Sequence, residues 1–448
     1  METPEVRYAR TRDGVHIAYQ VAGNGPVDLV VVASALGLGR IWSSRHSHTF
    51  PGRYTAFSRL ILLDRRGTGL SDHIVDREQQ LTLEAQMEDV QAVMNAAGSE
   101  RAVLMGFESG FAVAAMFAAT FPERTAGLIS FGAKARELWA SDYPFGVPLA
   151  EYDAEVEKIE RGWGTSGLAR EWLSHMNPAG SDDAQEIGDF VAWMQAIGGP
   201  GDAARWATID RDNDLRDVLP SIRVPTLVLH RQGDRETSLE HGRYLGNHIP
   251  GAELQEMPGI NHMWDRAEDL PTEVERFLAT IHAEQIEFDR YLATVLFTDI
   301  VGSTAIASAG GDAAWRALVE DHHRIVRGAL ARYRGTEMDT AGDGFFATFD
   351  GPARAVRCAI AIAEGVRELS IDVRAGVHPG EMQAIDGKAG GIAVTIGARI
   401  MAKAGASEVL VSHTVKDLVA GSGLAFEDAG EHELKGVPDR WHLYRVVK

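Results

Sequence analysis

Short aliphatic and β-branched runs alternate with helical periodicity over roughly the first 285 residues, the pattern of a parallel sheet wrapped by helices. Buried strands are predicted at Leu29–Ala33, Leu60–Leu63, Ala102–Met105, Leu128–Phe131 and Thr226–Leu229, with a last one at Ala252–Met257. Ahead of them, Val6–Arg10 and Val15–Tyr19 flank Asp13-Gly14, the pattern of an antiparallel hairpin. Between Ala133 and Leu219 the strand rhythm stops. That stretch is helical and holds five of the nine tryptophans (Trp139, Trp163, Trp172, Trp193, Trp206). It reads as a lid, residues 134–219, over the C-terminal edge of the sheet, with its indoles serving as lid core rather than lining a ligand site.

From Thr280 to Arg290 the chain is helical and charged, with Glu284, Glu287 and Asp289, and it lacks a Gly/Ser linker. Residues 283–291 therefore read as a short connection into a second domain, which opens on a strand at Leu292–Thr298. Trp315, Leu318, Val319, His322, Ile325, Val326, Ala329, Leu330 and Tyr333 then recur at helical spacing, and Gly335 is expected to end that helix. A second helix is predicted from Pro352, with Ala355, Val356, Ala359, Ile360, Ala363 and Val366 on one face. Strands at Phe345–Phe349, Asp372–Val377 and Val409–Ser412 complete a βαββαβ-like α+β unit.

Composition narrows the function. The chain has 448 residues, more than one compact core, with 45% hydrophobic and 24% charged residues. A formal charge of −20 argues against nucleic-acid binding, while leaving room for a nucleotide held by metals and a few local cations. The single cysteine, Cys358, falls on the apolar side of a helix and fits a reducing cytoplasm. No secretion signal is legible at Met-Glu-Thr-Pro-Glu, and the apolar run Phe111–Phe121 is well short of a membrane span. A cytoplasmic protein without membrane or nucleic-acid partners is expected.

Two aspartates stand where hydrophobic runs break into glycine and small polar residues: Asp299 in Val295-Leu-Phe-Thr-Asp-Ile-Val-Gly-Ser-Thr304 and Asp343 in Ala341-Gly-Asp-Gly-Phe-Phe-Ala347. Aspartates at strand ends and turns are common in any fold. Two that converge, however, can hold a pair of Mg²⁺ or Mn²⁺ ions, as displacement at phosphorus requires.

Phe297-Thr-Asp-Ile-Val-Gly-Ser-Thr, Ala341-Gly-Asp-Gly-Phe and Gly397-Ala-Arg together resemble the catalytic signature of class III nucleotidyl cyclases, over residues 292–448. The resemblance implies a ferredoxin-like α+β domain acting as a homodimer with its site between two copies. It assigns Asp299 and Asp343 to two metals, with the backbone carbonyl of Ile300 beside them. Arg399 matches the partner-chain arginine that stabilises the transition state, and Lys435 the lysine that holds the triphosphate. The implied reaction is attack of a ribose 3′-hydroxyl on the α-phosphorus with loss of pyrophosphate, and bacterial two-domain adenylyl cyclases of similar layout make ATP the expected substrate.

Three positions depart from the family pattern. Asp339 stands where adenylyl cyclases usually place a base-reading lysine, Lys388 where they place aspartate or threonine, and Thr395 where an asparagine orients the ribose. Asp339 can accept from the adenine amino group or from guanine N1–H and N2–H₂, and guanylyl cyclases use an acidic residue there. Lys388 can donate to adenine N1 or guanine O6, or the two can pair with each other. Weak base discrimination and slow turnover are the corresponding expectation, and a non-enzymatic, nucleotide-binding pseudocyclase is the alternative that the inverted base-reading pair and Thr395 leave open.

Asp64-Arg-Arg-Gly-Thr-Gly-Leu-Ser71 and Gly106-Phe-Glu-Ser-Gly110 resemble α/β-hydrolase landmarks, over residues 1–282. Asp234 matches the triad acid and His262 the triad base, but Glu108 occupies the nucleophile position and Ser109 is one residue late. Three readings stay open: a non-catalytic regulatory module that binds a small molecule, a carboxylate nucleophile at Glu108 as in dehalogenases and epoxide hydrolases, or a structural Glu108–His262 ion pair.

Overall fold

The computed structural model describes residues 3–73, 81–288, 290–385 and 388–447. It divides into two compact units, Met1–Ala283 and Glu284–Lys448.

In the first unit the strands are β1 (Arg7–Arg10), β2 (His16–Ala22), β3 (Asp28–Val32), β4 (Arg59–Leu63), β5 (Ala102–Phe107), β6 (Thr125–Phe131), β7 (Thr226–Arg231) and β8 (Glu253–Met257). They form one sheet in the order β1-β2-β4-β3-β5-β6-β7-β8. The predicted hairpin β1–β2 and the β2–β4 pair are antiparallel; every later pair is parallel. Strands β5, β6 and β7 are buried at every position, which is why their sequences are continuous apolar runs rather than alternating ones. Helix α1 (Leu83–Ala96) and helix α2 (Gly110–Thr120) belong to a core cluster on one face with Val30, Leu104 and Phe117. The lid consists of α3 (Leu149–Gly162), α4 (Ser166–Met176), α5 (Ala184–Ile197) and α6 (Pro200–Asp212). Helix α7 (Leu239–His248) follows β7, and α8 (Leu270–Phe288) continues without a break through most of the predicted connection.

The second unit carries β9 (Arg290–Ile300), α9 (Ser303–Tyr333), β10 (Thr336–Ala341), β11 (Gly344–Phe349), α10 (Pro352–Gly365), β12 (Val373–Ile385), β13 (Lys388–Gly390), α11 (Ile392–Met401), β14 (Val409–Ser412), α12 (His413–Leu418), β15 (Ala425–Glu433) and β16 (Arg440–Val447). The sheet order is β10-β11-β9-β12-β14-β16-β15, with β13 hairpinned onto β12. Cys358 is buried on α10 among Leu296, Val326, Ile362 and Val377.

The end of α9 differs from expectation. Arg334, at φ 58°, takes the left-handed position, and Gly335 is required for a different reason: a Cβ there would lie 2.5 Å from the Phe349 ring. Helix α9 also begins earlier than its apolar periodicity suggests, at Ser303, with a break in helical geometry at Gly311. Among the described residues no helix is long and apolar enough to cross a membrane.

Candidate active sites

In the C-terminal unit Asp299 is the penultimate residue of β9, and Asp343 lies in the tight turn between β10 and β11. Because β11 pairs with β9, Phe345 opposite Thr298, the turn is carried to the end of β9. There the Ile300 backbone N–H donates to Asp343 Oδ2 at 3.3 Å, so the two carboxylates share one corner of the sheet. Asp299 Oδ1 would lie 3.9 Å from a Cβ placed on Gly344, while its Oδ2 accepts from both Nε and Nη2 of Arg374 on β12. Sequence reasoning missed Arg374; its signal was a lone cation within the strand Val373–Val377.

Among the described residues no group of three or more His, Cys, Asp or Glu side chains gathers as a metal cage. Two carboxylates beside a backbone carbonyl nevertheless suit Mg²⁺ or Mn²⁺, which take the remaining oxygens from water and substrate phosphates. The residues present fit such ions.

The cations predicted for the same chemistry stand elsewhere. Arg399 on α11 donates from Nε to the backbone carbonyl of Lys435 at 3.0 Å, so these two residues are neighbours, both exposed. Lys435 follows β15, in the turn leading to β16. Strand register locates that turn: Asp299 pairs with Arg374 at the start of β12, whereas Tyr444 of β16 is level, through Val411 and Val377, with Leu296, and β16 begins at Arg440, four residues further from Asp299. The turn is thus about seven residues along the strands from Asp299, or roughly 20 Å at about 3.3 Å per residue, and three strand spacings across. Within one copy the aspartates and the cations do not meet.

Thr395 is half-buried one helical turn before Arg399 on α11, so the two share a face. Asp339 is exposed on the edge strand β10 at a bulge, accepting from the Thr340 N–H at 2.9 Å. Lys388 begins β13, opposite Ile385; its side chain lies outside the described residues, so its pairing with Asp339 does too.

In the N-terminal unit Glu108 sits at φ 49° between β5 and α2, the sharp strand–turn–helix corner of a nucleophile elbow. Its glycines are sterically required: a Cβ on Gly106 would be 2.5 Å from Phe111 Cα, and one on Gly110 2.2 Å from the Val32 carbonyl oxygen. His262 Nδ1 hydrogen-bonds Asp234 Oδ2 at 2.7 Å, and its Nε2 lies 3.4 Å from Glu108 Oε1. Asp234 is itself held by the N–H groups of Glu236 and Thr237, both at 2.9 Å. Burial disfavours charge on His262, but the hydrogen bonds its ring N–H groups donate to the two carboxylates outweigh it and raise its pKa to about 10. Glu108 and Asp234 move the opposite way: burial is overcome by the hydrogen bond and charge of His262, and both are lowered. All three groups are therefore ionised near neutral pH, and His262 has no lone pair to act as a base.

Ser109 does not substitute for the missing nucleophile; its Oγ accepts from Arg65 Nη1 at 3.1 Å. Arg65 in turn packs over Trp206, 4.0 Å from the ring centre, and donates to Gln86. Ser34, in the loop after β3, donates from Oγ to Glu108 Oε2 at 2.5 Å, a partner that no sequence motif announced.

Above the elbow a cavity of about 630 Å³ is lined by Glu108, His262 and the indoles of Trp163, Trp172, Trp193 and Trp206. The first three indoles also pack against the lid cluster of Leu168, Leu173, Phe190 and Met194. They are lid core on one side and cavity wall on the other, where the sequence suggested core alone. Trp139, 52% exposed, is in neither group.

The first unit thus has the sheet, elbow and acid–histidine pair of an α/β hydrolase, and the second brings Asp299 and Asp343 to one corner of its sheet. Residues 58–264 match the alpha/beta hydrolase fold family and residues 287–447 the adenylate and guanylate cyclase catalytic domain. The chain is a class III adenylate/guanylate cyclase domain joined to an α/β-hydrolase domain. Among curated proteins it is similar to a 2-hydroxy-6-oxononadienedioate/2-hydroxy-6-oxononatrienedioate hydrolase of Comamonas testosteroni, 27% identical over 55% of this chain and 85% of that protein. An esterase from Exiguobacterium antarcticum covers 62% of this chain and all of its own at 19% identity, with a TM-score of 0.52. The adenylyl cyclase CyaB from P. aeruginosa covers 36% of this chain and 95% of its own at 22% identity, with a TM-score of 0.34.

Proposed function

We propose that the C-terminal domain, residues 292–448, converts ATP to cyclic AMP and pyrophosphate at sites formed between two copies of the chain. The observation that carries this reading is the division of the catalytic set: Asp299 and Asp343 at one corner of the sheet, Arg399 and Lys435 at the far end. A symmetric pair of chains, each offering its carboxylate corner to the other's cation corner, completes two identical sites.

In such a site Asp299, Asp343 and the Ile300 carbonyl would hold two Mg²⁺ or Mn²⁺ ions, which would supply neutralisation of the charge that develops in the reaction. The residues of the chain do the rest. Lys435 grips the triphosphate as a point charge. Arg399 places its guanidinium where charge accumulates as the O3′–Pα bond forms and the bond to pyrophosphate breaks. Thr395, on the same face of α11, offers its hydroxyl to the ribose. Asp339, exposed on β10, and Lys388 are the base-contacting pair.

GTP is the second reading, and Asp339 is the residue that favours it, since an acceptor there matches two guanine donors. The N-terminal domain, residues 1–282, serves as a regulatory module that binds a small molecule under its lid. Its ionised Glu108–His262–Asp234 chain supports this over hydrolysis. The deciding experiment incubates the full chain with ATP and, separately, GTP in Mn²⁺, beside Asp299→Ala. Cyclic AMP from the wild type and none from the variant is the expected result. Predominant cyclic GMP transfers the assignment to GTP, and no cyclic product from either nucleotide removes it.

A further inference from the structure

Glu108 has the connectivity of an esterified serine. Counting outward from Cβ, its Cγ stands where a nucleophilic serine carries Oγ, and its Cδ stands where the acyl carbon would be attached. One carboxylate oxygen then falls where the acyl oxygen lies, and the other where an oxygen is passed to or from the catalytic histidine. The hydrogen bonds of the site match these roles. Oε2 accepts from Ser34 Oγ at 2.5 Å; Ser34 stands on the loop after β3, whose backbone N–H is an oxyanion donor in α/β hydrolases, and here the donor from that loop is a side-chain hydroxyl. Oε1 faces His262 Nε2 at 3.4 Å, with Asp234 behind at 2.7 Å. The elbow that presents Glu108 keeps its positive φ of 49° and both obligatory glycines, so the backbone is that of a working nucleophile corner.

We infer that Glu108 is a built-in, uncleavable mimic of an acyl-enzyme, and that the N-terminal site binds uncharged hydroxyl-bearing molecules without hydrolysing esters. Three consequences define the ligand. The acyl position is filled, so an ester carbonyl has no oxyanion site to enter. Two carboxylates flank one imidazolium at the cavity floor, and the Lys134 ammonium that also lines the cavity is neutralised by Glu137 at 2.8 Å, so a net charge of −1 remains that disfavours anionic ligands. Glu108 Oε1 retains acceptor capacity, and the wall of four indoles above it accommodates an aromatic or aliphatic body. An alcohol or phenol, the class of molecule that an esterase releases, satisfies all three.

The same geometry makes the site one side chain away from ester hydrolysis. In Glu108→Ser the introduced hydroxyl is presented on the elbow, and His262 loses one of the two carboxylates that keep it protonated. With 4-nitrophenyl butyrate, the hydroxyl oxygen bonds to the butyryl carbon as the bond to the nitrophenyl oxygen breaks. The hydroxyl proton passes through His262 to the departing 4-nitrophenol; water then releases butyrate and restores the hydroxyl.

The test uses the full chain, with folding checked by circular dichroism. Glu108→Ser is expected to hydrolyse 4-nitrophenyl butyrate about 100-fold or more faster than wild type, the range of a positioned general base. The double variant Glu108→Ser/His262→Ala is expected to fall back to the wild-type level. A folded Glu108→Ser no faster than that double variant overturns the inference, as does wild-type turnover that Glu108→Gln abolishes, because Glu108 would then be a nucleophile.

A second measurement does not depend on catalysis. Glu108→Ala leaves a carboxylate-sized gap between Ser34 and His262, so millimolar acetate is expected to raise its melting temperature while leaving that of the wild type unchanged. Equal response to acetate in the two proteins overturns the assignment of that gap. 2-Naphthol, used as the probe for the proposed ligand class, is expected to quench wild-type tryptophan fluorescence saturably, and 2-naphthoate is not. Tighter binding of the carboxylate than of the alcohol would refute the ligand class.

Discussion

Arg374 stands directly opposite Asp299 across the β9–β12 pair and donates two hydrogen bonds to its Oδ2, leaving Oδ1 without a hydrogen bond from the arginine. The arginine sets the orientation of a carboxylate that would hold a cation in the proposed cyclase site, and it also competes for that carboxylate. Partners that orient a metal ligand typically contribute about 10–100-fold to affinity or activity. Arg374→Ala is therefore expected to lower cyclase activity by about 10-fold or more and to shift the Mn²⁺ midpoint upward. A Mn²⁺ titration followed by both product formation and direct metal binding checks this; an unchanged midpoint in both would make Arg374 a structural residue only.

The separation of Asp299 from Arg399 leads to a mixing experiment. Asp299→Ala and Arg399→Ala are each expected to be inactive, with both sites of each homodimer defective. Random exchange makes half the dimers mixed, and each mixed dimer regains one of its two sites, so activity returns to about a quarter of wild type. Activity that stays at the level of the separate variants would place the two residues in the same copy's site.

His262 makes the N-terminal unit sensitive to alkali. Its folded pKa of about 10 lies above the ordinary histidine value of 6.5. The stability it contributes is fully present below pH 6.5, declines as pH rises, and is gone above about 10. Glu108 and Asp234, both lowered, contribute in the opposite sense, and their share is lost on acidification through their folded values. Thermal unfolding of the first transition from pH 6 to 11 should show the alkaline decline. In Glu108→Gln that decline should move to lower pH, since one of the carboxylates holding the proton is gone; coincident curves for the two proteins would contradict the ion-pair chain.

Base selection tests Asp339. Asp339→Lys replaces an acceptor by a donor suited to adenine N1. The ratio of kcat/KM for ATP to that for GTP is expected to rise by about 10-fold or more, the scale of one correctly paired base contact. A ratio that does not change would remove Asp339 from the base site.

Much of this architecture was legible along the chain. Continuous apolar runs located β3 to β7 to within three residues, and the stretch expected to be a helical lid, residues 134–219, carries its helices from Leu149 to Asp212, while residues 134–148 form an irregular lead-in with isolated β-bridges at Arg136, Leu138 and Ala140. What escaped has a physical reason. Thr336–Ala341, β10, is an edge strand whose side chains alternate between exposed and half-buried, and β15 is also an edge, rich in acids; neither contains the apolar run by which a strand is recognised. At the start of α9 the Ala- and Gly-rich segment is exposed and carries no amphipathic period.

By itself the sequence determined the two folds and the identity of the chemical groups, because local periodicity and closely spaced motifs need only neighbours along the chain. Only the tertiary structure decided how those groups are partnered. Asp299 meets Arg374 across 75 positions, and Glu108 meets Ser34 across 74. Arg399 joins Lys435 at the end of the sheet remote from the aspartates. These relationships are set by strand order and register, which place residues at one corner or at opposite ends whatever their distance in sequence.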